Sequence, residues 1–337
     1  MHMPTLLIGI LGAANIARLF VAGANASPKV SVRAVASRDR DRANAFAQEN
    51  GIPVAYGSYE AMLADRTIEA IYNPLPNNLH AEWAIRAAEA GKHVLCEKPL
   101  ATSEAEARAI FDAAARHDVF VAEGYPYRAQ PQTIKLRELL AANAIGRVQA
   151  IYASFGFPLP DAPNIRLDPA LAGGALMDAG AYPVSFVRMV AGARPRRAHA
   201  MATWAGSGVD RAMIGSLEFP GGLLAQISCS FATARHRRAI IVGDAGSIET
   251  TYLNDTSPTM PPNLLIRRGI GWDAHTETIT TAETNGFLAE AEAFHGLVRH
   301  GWSHWPGATP DESIDTMSAL EALATSAREG RAVEIGR

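Results

Sequence analysis

The N-terminal part of the chain alternates short apolar runs with longer amphipathic stretches. The apolar runs predict buried strands, and apolar residues at helical spacing between them predict helices. Strands are predicted at residues 5–11, 30–36, 70–73, 94–96 and 119–123. Strands that alternate with helices imply right-handed crossovers, so this part predicts a doubly wound, mostly parallel sheet in an α/β domain.

The rest of the chain has a different pattern, in which strand-like runs follow one another closely. Helices are predicted at 131–142, 175–191, 287–300 and 310–330, and strands at 148–155, 198–204, 213–219, 223–231, 239–242, 247–252 and 264–267. Short turns between these strands, such as the one at Pro220-Gly221-Gly222, favour an antiparallel sheet. The chain has 337 residues, which suits two domains better than one simple core.

Composition narrows the possible classes of partner. Hydrophobic residues make up 48% of the chain and charged residues 19%, and the formal net charge is −3. Without a basic surplus we expect neither a nucleic-acid nor a membrane partner. Cys96 and Cys229 lie in separate apolar runs and are interpreted as buried thiols, which fits a reducing compartment. The apolar start at 6–11 is too short for a signal peptide, so we expect a cytoplasmic protein.

The turn after the first strand resembles a dinucleotide-binding fingerprint. Gly12, Ala14 and Ala17 occupy its three small-residue positions, between a strand and a helix. Because Ala14 replaces a glycine, we expect the pyrophosphate to lie slightly further from the backbone. Gly-Ala turns are common, so the motif is weak by itself. The candidate cofactor-binding residues here are Gly12, Ala13, Ala14, Asn15 and Ile16.

The end of the second predicted strand indicates which cofactor is preferred. An NAD site usually has an acidic residue there, which binds the ribose 2′-hydroxyl. This chain has Ser37 and Arg38 instead, and Arg42 follows one helical turn later. A hydroxyl and two guanidinium groups suit a 2′-phosphate, so we predict NADP as the cofactor, with NAD possible. Alternatively, both arginines are solvated residues at a helix start.

Glu97, Lys98 and Pro99 follow a buried strand directly. Ligands of open α/β sheets bind beyond the carboxyl ends of the strands, so Lys98 is the first candidate to lie beside a substrate. The alternative is a surface salt bridge on a loop. On the helix predicted at 175–191, Asp178 and Tyr182 are four residues apart and share a face among apolar residues. They either line a cavity or form a buried structural pair.

The motifs at 9–12, 74–80, 91–99 and 173–182 together resemble the glucose-fructose oxidoreductase/inositol dehydrogenase/rhizopine-catabolism (Gfo/Idh/MocA) family over essentially the whole chain. The resemblance implies an NAD(P)-binding Rossmann domain at 1–124. It also implies a substrate-binding and oligomerisation α+β domain at 125–337, with a large, mostly antiparallel open sheet. Family members commonly dimerise through that sheet, so we expect a homodimer or homotetramer. The family also implies that the Lys98–Pro99 bond is often cis.

The same resemblance assigns further site residues. Asp178 and Tyr182 match the substrate-binding and catalytic pair, and the Tyr form is similar to the dihydrodiol dehydrogenase and NADP-dependent D-xylose dehydrogenase branch. Additional cofactor-binding candidates are Asn73, Pro74, Leu75, Asn78, His80, Glu97 and Lys98. Substrate-binding candidates are Tyr125, Arg128, Asn164 and Arg166. For the first two of these the alternative is packing at a domain interface, and for the last two a place on a surface loop.

The expected reaction is hydride transfer between the nicotinamide of NADP and a hydroxyl-bearing carbon of a cyclic sugar or diol. Free tyrosine has a pKa of about 10, and a nearby Lys98 ammonium would lower it, so Tyr182 is the expected general base. Lys98 would hold the substrate oxygen, and Asp178 would bind a neighbouring hydroxyl.

Two alternatives stay open: a reductase of a keto sugar or anhydro sugar, and a non-catalytic NAD(P)-binding regulator. A nucleotide-sugar substrate would need positive charge, for example from Arg235, Arg237 and Arg238, for which the alternative is a solvated turn. Metal binding by His295, His300 and His304 is not expected.

Overall fold

A computed structural model of the chain describes residues 4–160, 162–255 and 260–336. The strands are β1 (Leu6–Leu11), β2 (Val30–Ala36), β3 (Val54–Tyr56), β4 (Ala70–Asn73), β5 (His93–Glu97), β6 (Val121–Gly124), β7 (Val148–Gly156), β8 (Arg197–Trp204), β9 (Asp210–Glu218), β10 (Leu224–Ser230), β11 (His236–Gly243), β12 (Gly246–Thr250), β13 (Asn263–Arg268), β14 (His275–Thr280) and β15 (Val333–Glu334). The helices are α1 (Asn15–Asn25), α2 (Arg40–Asn50), α3 (Tyr59–Leu63), α4 (His80–Glu89), α5 (Glu104–Arg116), α6 (Pro131–Ala141), α7 (Ala181–Ala191), α8 (Gly286–His300) and α9 (Pro310–Glu329). Within these ranges, no helix has both the length and the apolar character that crossing a bilayer requires.

The contacts divide the chain into two compact units. The first comprises residues 1–101, 105–130 and 284–310, and the second comprises 102–104, 131–283 and 311–337. This division differs from the expected limits of 1–124 and 125–337, because a late segment that includes α8 belongs to the first unit. Its apolar residues, such as Phe287 and Phe294, are buried in the same cluster as Phe20.

The first unit contains the predicted doubly wound sheet. Its strand order is β3-β2-β1-β4-β5-β6, and every pairing is parallel. The order reverses between β1 and β4, and the carboxyl ends of strands beside such a reversal are where ligands bind in open α/β sheets. Helix α8 packs closely on α1. A Cβ added at Gly23 would lie 2.6 Å from the backbone nitrogen of Leu288, so only glycine permits this approach.

The second unit contains a large sheet with the order β14-β13-β12-β11-β7-β10-β9-β8-β15. Within the part of the chain that is described, β7 and β10 pair in parallel and the other pairings are antiparallel, which confirms the predicted mostly antiparallel sheet. Side chains alternate along each strand, so one face is buried and the other is exposed. Buried Met213 and Leu217 alternate with exposed Ile214 on β9. The turn at Pro220-Gly221-Gly222 joins β9 to β10, as predicted.

Two helix starts differ from the predictions. The helix expected at 175–191 begins as a π-helical segment, Leu176–Gly180, and becomes α-helical only in α7. Asp178 therefore lies in the wider π-helical turn and Tyr182 in α7, so the spacing rule for a regular α-helix does not apply to this pair. Asparagine is a preferred helix-capping residue, so the sequence predicts Asn78 as the cap of the helix that follows β4. In the structure Asn78 lies within a 3₁₀ turn, Asn77–Leu79, and α4 begins at His80.

Candidate functional site

The turn between β1 and α1 has the geometry that a dinucleotide-binding turn requires. Gly12 has φ = +85°, a left-handed conformation that glycine adopts without strain. A Cβ there would lie 2.9 Å from Cδ2 of Leu75, so two of the predicted cofactor-binding residues meet at this turn. Ala14 is the N-cap of α1, and no side chain among the described residues caps the helix. The amides of Asn15 and Ile16 lie in the first turn, and this arrangement fits a pyrophosphate.

The end of β2 gathers polar groups beside that turn. The Ser37 hydroxyl accepts a hydrogen bond from the backbone of Asp39 at 3.2 Å. The guanidinium of Arg42 donates to the carbonyl of Ala13 at 3.1 Å, which links α2 to the fingerprint turn. The carboxylate of Asp39 caps α2 by accepting from two backbone amides. Arg42 is therefore held against the turn and does not point away from it.

Tyr59 is a residue at this edge that sequence reasoning missed. Burial raises the pKa of its hydroxyl, while the charges of Arg38 and Arg42 and a hydrogen bond with Arg38 act in the opposite direction. The hydroxyl would lie 3.7 Å from a Cβ at Gly12, so it belongs to the same cluster. Tyr59 begins α3 directly after β3, a strand that is too short for periodicity to reveal.

Asn73 and His80 hold the loop between β4 and α4 in place. The Asn73 side chain donates to the His80 carbonyl at 3.2 Å and accepts from the backbone of Leu75 at 3.4 Å. The ring nitrogens of His80 lie 2.7 Å from the Pro99 carbonyl oxygen and 2.6 Å from that of Leu75. Pro74 follows Asn73 directly. Two predicted cofactor-binding side chains are thus engaged in bracing the loop that carries Leu75.

His80 is neutral at physiological pH. Its pKa is lowered to about 4, mainly by burial and in small part by the Lys98 charge, while the two carbonyl contacts act in the opposite direction. Neutral His80 donates from one ring nitrogen only, since a neutral imidazole carries one N–H.

The segment after β5 combines a half-buried base with a buried acid. Tyr72 donates a hydrogen bond of 2.6 Å to the Glu97 carboxylate, and only 6% of Glu97 is exposed. Lys98 follows and is half-buried. The Lys98–Pro99 bond is cis, as expected. Tyr72 therefore holds the carboxylate of the residue that directly precedes Lys98.

Glu290 is a second buried acid near this strand end, and sequence reasoning did not select it. Its carboxyl oxygen Oε1 would lie 3.5 Å from a Cβ at Gly124, the last residue of β6. Burial raises its pKa well above the ordinary value, and the Glu97 charge adds to the increase. The helical spacing of Phe287 and Phe294 places Glu290 on the buried face of α8, so the signal was present in the sequence.

In the second unit, Arg166 and Asp178 form an ion pair. Nε of Arg166 lies 2.7 Å from Oδ2 of Asp178. Asn164 accepts a hydrogen bond from the Arg166 backbone and begins the 3₁₀ turn that positions Arg166. The structure thus brings a predicted substrate-binding residue to the predicted catalytic carboxylate. Asp210 accepts a 2.6 Å bond from the backbone of Leu176 and holds the start of the π-helical segment.

Tyr182 is buried and its ring and hydroxyl have separate partners. The Asn254 amide donates to its hydroxyl oxygen at 2.8 Å. The guanidinium carbon of Arg237 lies 3.8 Å from the ring centroid, and the Phe155 ring meets the same ring edge-on at 5.4 Å. The sequence offered no signal for Asn254. From the sequence, Arg237 is a candidate for binding a nucleotide sugar. In the structure its guanidinium lies over the Tyr182 ring.

Tyr125 and Arg128 are buried residues of the segment that leaves β6. Their exposed fractions are 2% and 1%. Arg128 lies in the 3₁₀ turn Pro126–Ala129, and the Tyr125 and Tyr127 rings meet edge-on at 5.9 Å. Both residues belong to the first unit. Among the side chains described, no cluster of three or more His, Cys, Asp or Glu could hold a metal ion.

Comparison with known proteins identifies the family. A family model for oxidoreductases with an NAD-binding Rossmann fold matches residues 6–125, and the GFO/IDH/MocA C-terminal domain model matches residues 133–249. The chain is 40% identical over 332 residues to a D-xylose 1-dehydrogenase (NADP⁺) of Haloferax volcanii, covering 98% of this chain and all of that protein. It is 37% identical over 244 residues to the trans-1,2-dihydrobenzene-1,2-diol dehydrogenase of Danio rerio, covering 72% and 73% of the two chains.

A solved structure of a 3-ketoreductase from Actinomadura kijaniata, in complex with NADP and TDP-benzene, is also similar. Its TM-score is 0.85 at 29% identity, covering 96% of this chain and 98% of that one. These findings confirm the predicted fold class and the resemblance stated from the motifs. The chain belongs to the GFO/IDH/MocA family and is an NAD(P)-dependent oxidoreductase that acts on CH–OH groups.

Proposed function

We propose that this protein is an NADP-dependent dehydrogenase that oxidises a hydroxyl-bearing carbon of a cyclic sugar or diol, in the manner of an aldose 1-dehydrogenase. The observation that carries the proposal is the buried phenol of Tyr182, which has a hydrogen-bond donor on its oxygen and a cation over its ring. The 40% identity to a D-xylose dehydrogenase, over nearly the whole chain, supports the same substrate class.

The cofactor is NADP, which when bound accepts or supplies the hydride at its nicotinamide. The turn of Gly12, Ala13 and Ala14, with the amides that follow it, would hold the pyrophosphate. Ser37, Arg38 and Arg42 would hold the 2′-phosphate, because a hydroxyl and guanidinium groups suit a dianion. The loop residues Asn73, Pro74, Leu75, Asn78 and His80, with Glu97, would support the nicotinamide half.

In the proposed reaction, Tyr182 acts as the general base. As a phenolate it takes the proton of the substrate hydroxyl, while the hydride leaves the carbon that bears this hydroxyl. The Lys98 ammonium stabilises the negative charge that develops on that oxygen. Asp178, oriented by Arg166, accepts a hydrogen bond from a neighbouring hydroxyl of the substrate. Asn164, Tyr125 and Arg128 are proposed to contribute to substrate binding.

Aldoses, inositols and trans-dihydrodiols should be screened with NADP⁺ by absorbance of the reduced nicotinamide. We expect turnover with at least one cyclic sugar or diol, and a loss of kcat on the order of 10² or more in Lys98→Ala and Tyr182→Phe. The matched control is Tyr152→Phe, an exposed tyrosine on β7, which should retain the kcat of the wild type. Near-normal turnover in both active-site variants would refute the assignment of these residues.

The cofactor preference can be tested separately. We expect kcat/KM to be higher with NADP⁺ than with NAD⁺. Arg38→Ala should reduce the ratio of the two kcat/KM values about tenfold or more, since charge-assisted hydrogen bonds contribute about 1.5–3 kcal/mol. Arg33→Ala removes an exposed arginine from β2, the strand that precedes Ser37 and Arg38, and should leave this ratio unchanged. A preference for NAD⁺ in the wild type would refute the proposed role of Ser37, Arg38 and Arg42.

A reductase of a keto sugar is the second candidate, favoured by the likeness to the 3-ketoreductase structure. It would use the same residues in the reverse direction, with Tyr182 as the acid. Reduction of ketoses with NADPH, without oxidation of any aldose or diol, would favour it over the dehydrogenase. Tight NADP binding without turnover in either direction would point to a non-catalytic regulator.

We also propose that the protein is a cytoplasmic homodimer or homotetramer. Both cysteines are free and buried, which fits a reducing compartment. The outer face of the second sheet exposes Met201, Ile214 and Leu224, with 58–70% of each residue accessible. Exposed apolar side chains on one face of an open sheet suit burial against a second copy. Light scattering of the purified chain tests this directly, and a monomer at micromolar concentration would contradict it.

A further inference from the structure

Tyr182, Asn254 and Arg237 form a closed triangle of contacts in the second unit. The amide nitrogen of Asn254 donates to the Tyr182 hydroxyl at 2.8 Å. The guanidinium of Arg237 donates to the amide oxygen of Asn254 at 3.1 Å and lies over the Tyr182 ring at 3.8 Å. Each residue comes from a different element: α7, β11 and the segment after β12.

The contact with Arg237 determines which way the Asn254 amide points. A guanidinium only donates, so the amide must turn its oxygen toward Arg237. The NH₂ group then faces Tyr182 and donates to the phenol oxygen. Because that oxygen accepts from Asn254, the phenol proton points away from the amide.

The charge of Arg237 favours the ionised form of the phenol. Only 5% of Arg237 is exposed, and its guanidinium also lies over Phe155 at 5.0 Å and Tyr252 at 4.8 Å. A cation over the face of an aromatic ring is attracted to it, and the attraction increases when the ring carries a negative charge. Burying a guanidinium costs desolvation energy that an apolar side chain would avoid.

We propose that Arg237 and Asn254 are positioning residues that hold Tyr182 in the orientation and charge state required for proton transfer. The proposal rests on the proposed function of Tyr182 as the acid–base group. Within the second unit, charged and titratable groups in this region include Arg237 on β11, which lies over the Tyr182 ring, and Tyr252 after β12, which lies under the same guanidinium. Asp178, paired with Arg166, precedes Tyr182 by four residues, and Cys229 on β10 lies beside Gly180.

The test is the pH dependence of kcat for oxidation in Arg237→Met, Arg237→Lys and Asn254→Ala. We expect the limb that rises with pH to move upward by about one unit or more in Arg237→Met and Asn254→Ala, because each loses a group that stabilises the phenolate. Near pH 7 kcat should fall about tenfold and recover at high pH, while KM stays within about twofold. Arg237→Lys retains the charge and should restore much of the shift. Arg267→Met removes an arginine from β13 of the same sheet and should leave the limb unchanged.

The outcomes separate this proposal from the proposed function. Full activity in Tyr182→Phe would overturn both. If Tyr182→Phe loses activity while the rising limbs of Arg237→Met and Asn254→Ala stay at the same pH as in the wild type, the positioning role alone is overturned. If Arg237→Met does not fold, Asn254→Ala and Arg237→Lys decide: an unshifted limb in Asn254→Ala refutes the proposal. A uniform loss of kcat at every pH would indicate a structural role and would also refute it.

Discussion

Replacing Glu290 by glutamine should stabilise the first unit, and the gain should increase as the pH rises. Glu290 lies on α8 with 1% of its surface exposed, and neither carboxyl oxygen has a hydrogen-bond partner among the described residues. Burial raises its pKa well above the ordinary value, and the Glu97 charge raises it further. The folded protein therefore keeps a proton on this group that the unfolded chain releases.

The magnitude follows from linkage. An unfolded glutamate titrates near pH 4.3, and above that value the folded state binds more protons than the unfolded state. The free energy of unfolding then falls by about 1.4 kcal/mol per pH unit until the pH reaches the folded pKa. Between pH 5.5 and 7.5 the wild type should lose up to about 2.7 kcal/mol through this group. Glutamine does not titrate, so Glu290→Gln removes this contribution.

Urea unfolding at pH 5.5 and pH 7.5, followed by tryptophan fluorescence, measures the difference between the variant and the wild type. The control is Glu292→Gln on the same helix. Although burial raises the pKa of Glu292, hydrogen bonds from Lys29 and Ser27 lower it overall. Its pH dependence therefore has the opposite sign and falls below the unfolded value of about 4.3, so Glu292→Gln should have the same effect at pH 5.5 and pH 7.5. An equal effect of Glu290→Gln at both pH values would refute the reasoning.

Three further changes test the packing. Gly23→Ala would place a Cβ 2.6 Å from the backbone of α8, and it should lower the free energy of unfolding in urea by about 1–3 kcal/mol. Gly206→Ala is the control, since a Cβ there has no heavy atom within 4 Å and stability should change little. Asp210→Ala leaves the Leu176 amide without its acceptor and should lower the free energy of unfolding by about 1–3 kcal/mol. Asp210→Asn retains an acceptor oxygen and should lower it less. Equal losses in the two variants would argue against the hydrogen bond. Ile214→Glu, on the exposed sheet face, should shift the proposed oligomer to monomer in light scattering, and an unchanged oligomer mass would exclude that face.

The elements that the sequence predicted well lie inside the parallel sheet and are mostly apolar. The bounds of β2 and β4 agree with the predicted 30–36 and 70–73, because both strands are apolar over most of their length and lie inside the parallel sheet. The missed strands are β3, β14 and β15. They lie at sheet edges and are short or polar, so backbone pairing with a neighbour defines them and hydrophobic periodicity does not.

The site shows the same limit. Lys98 was selected because it follows a buried strand directly, which is a local property of the sequence. Tyr59, Glu290 and Asn254 become relevant only through the elements that pack beside them, and one sequence does not encode those contacts locally. Glu290 is the exception in part, because the apolar spacing of α8 already assigned it to the buried face.

Buried ionisable groups occur in two kinds of environment in this protein, and the difference indicates which are worth testing for function. Asp315 is buried between Arg188 and Arg194, with distances of 2.7 Å and 3.1 Å, so its charge is paired as a structural network requires. Glu290 instead lies near another carboxylate, whose charge raises its pKa further. This arrangement is not the one that would best stabilise the fold, since a well-packed apolar side chain would avoid the desolvation cost. Perturbed groups of this second kind cluster at functional sites, and Glu290 is near Glu97, which precedes Lys98, a residue proposed to act in the reaction.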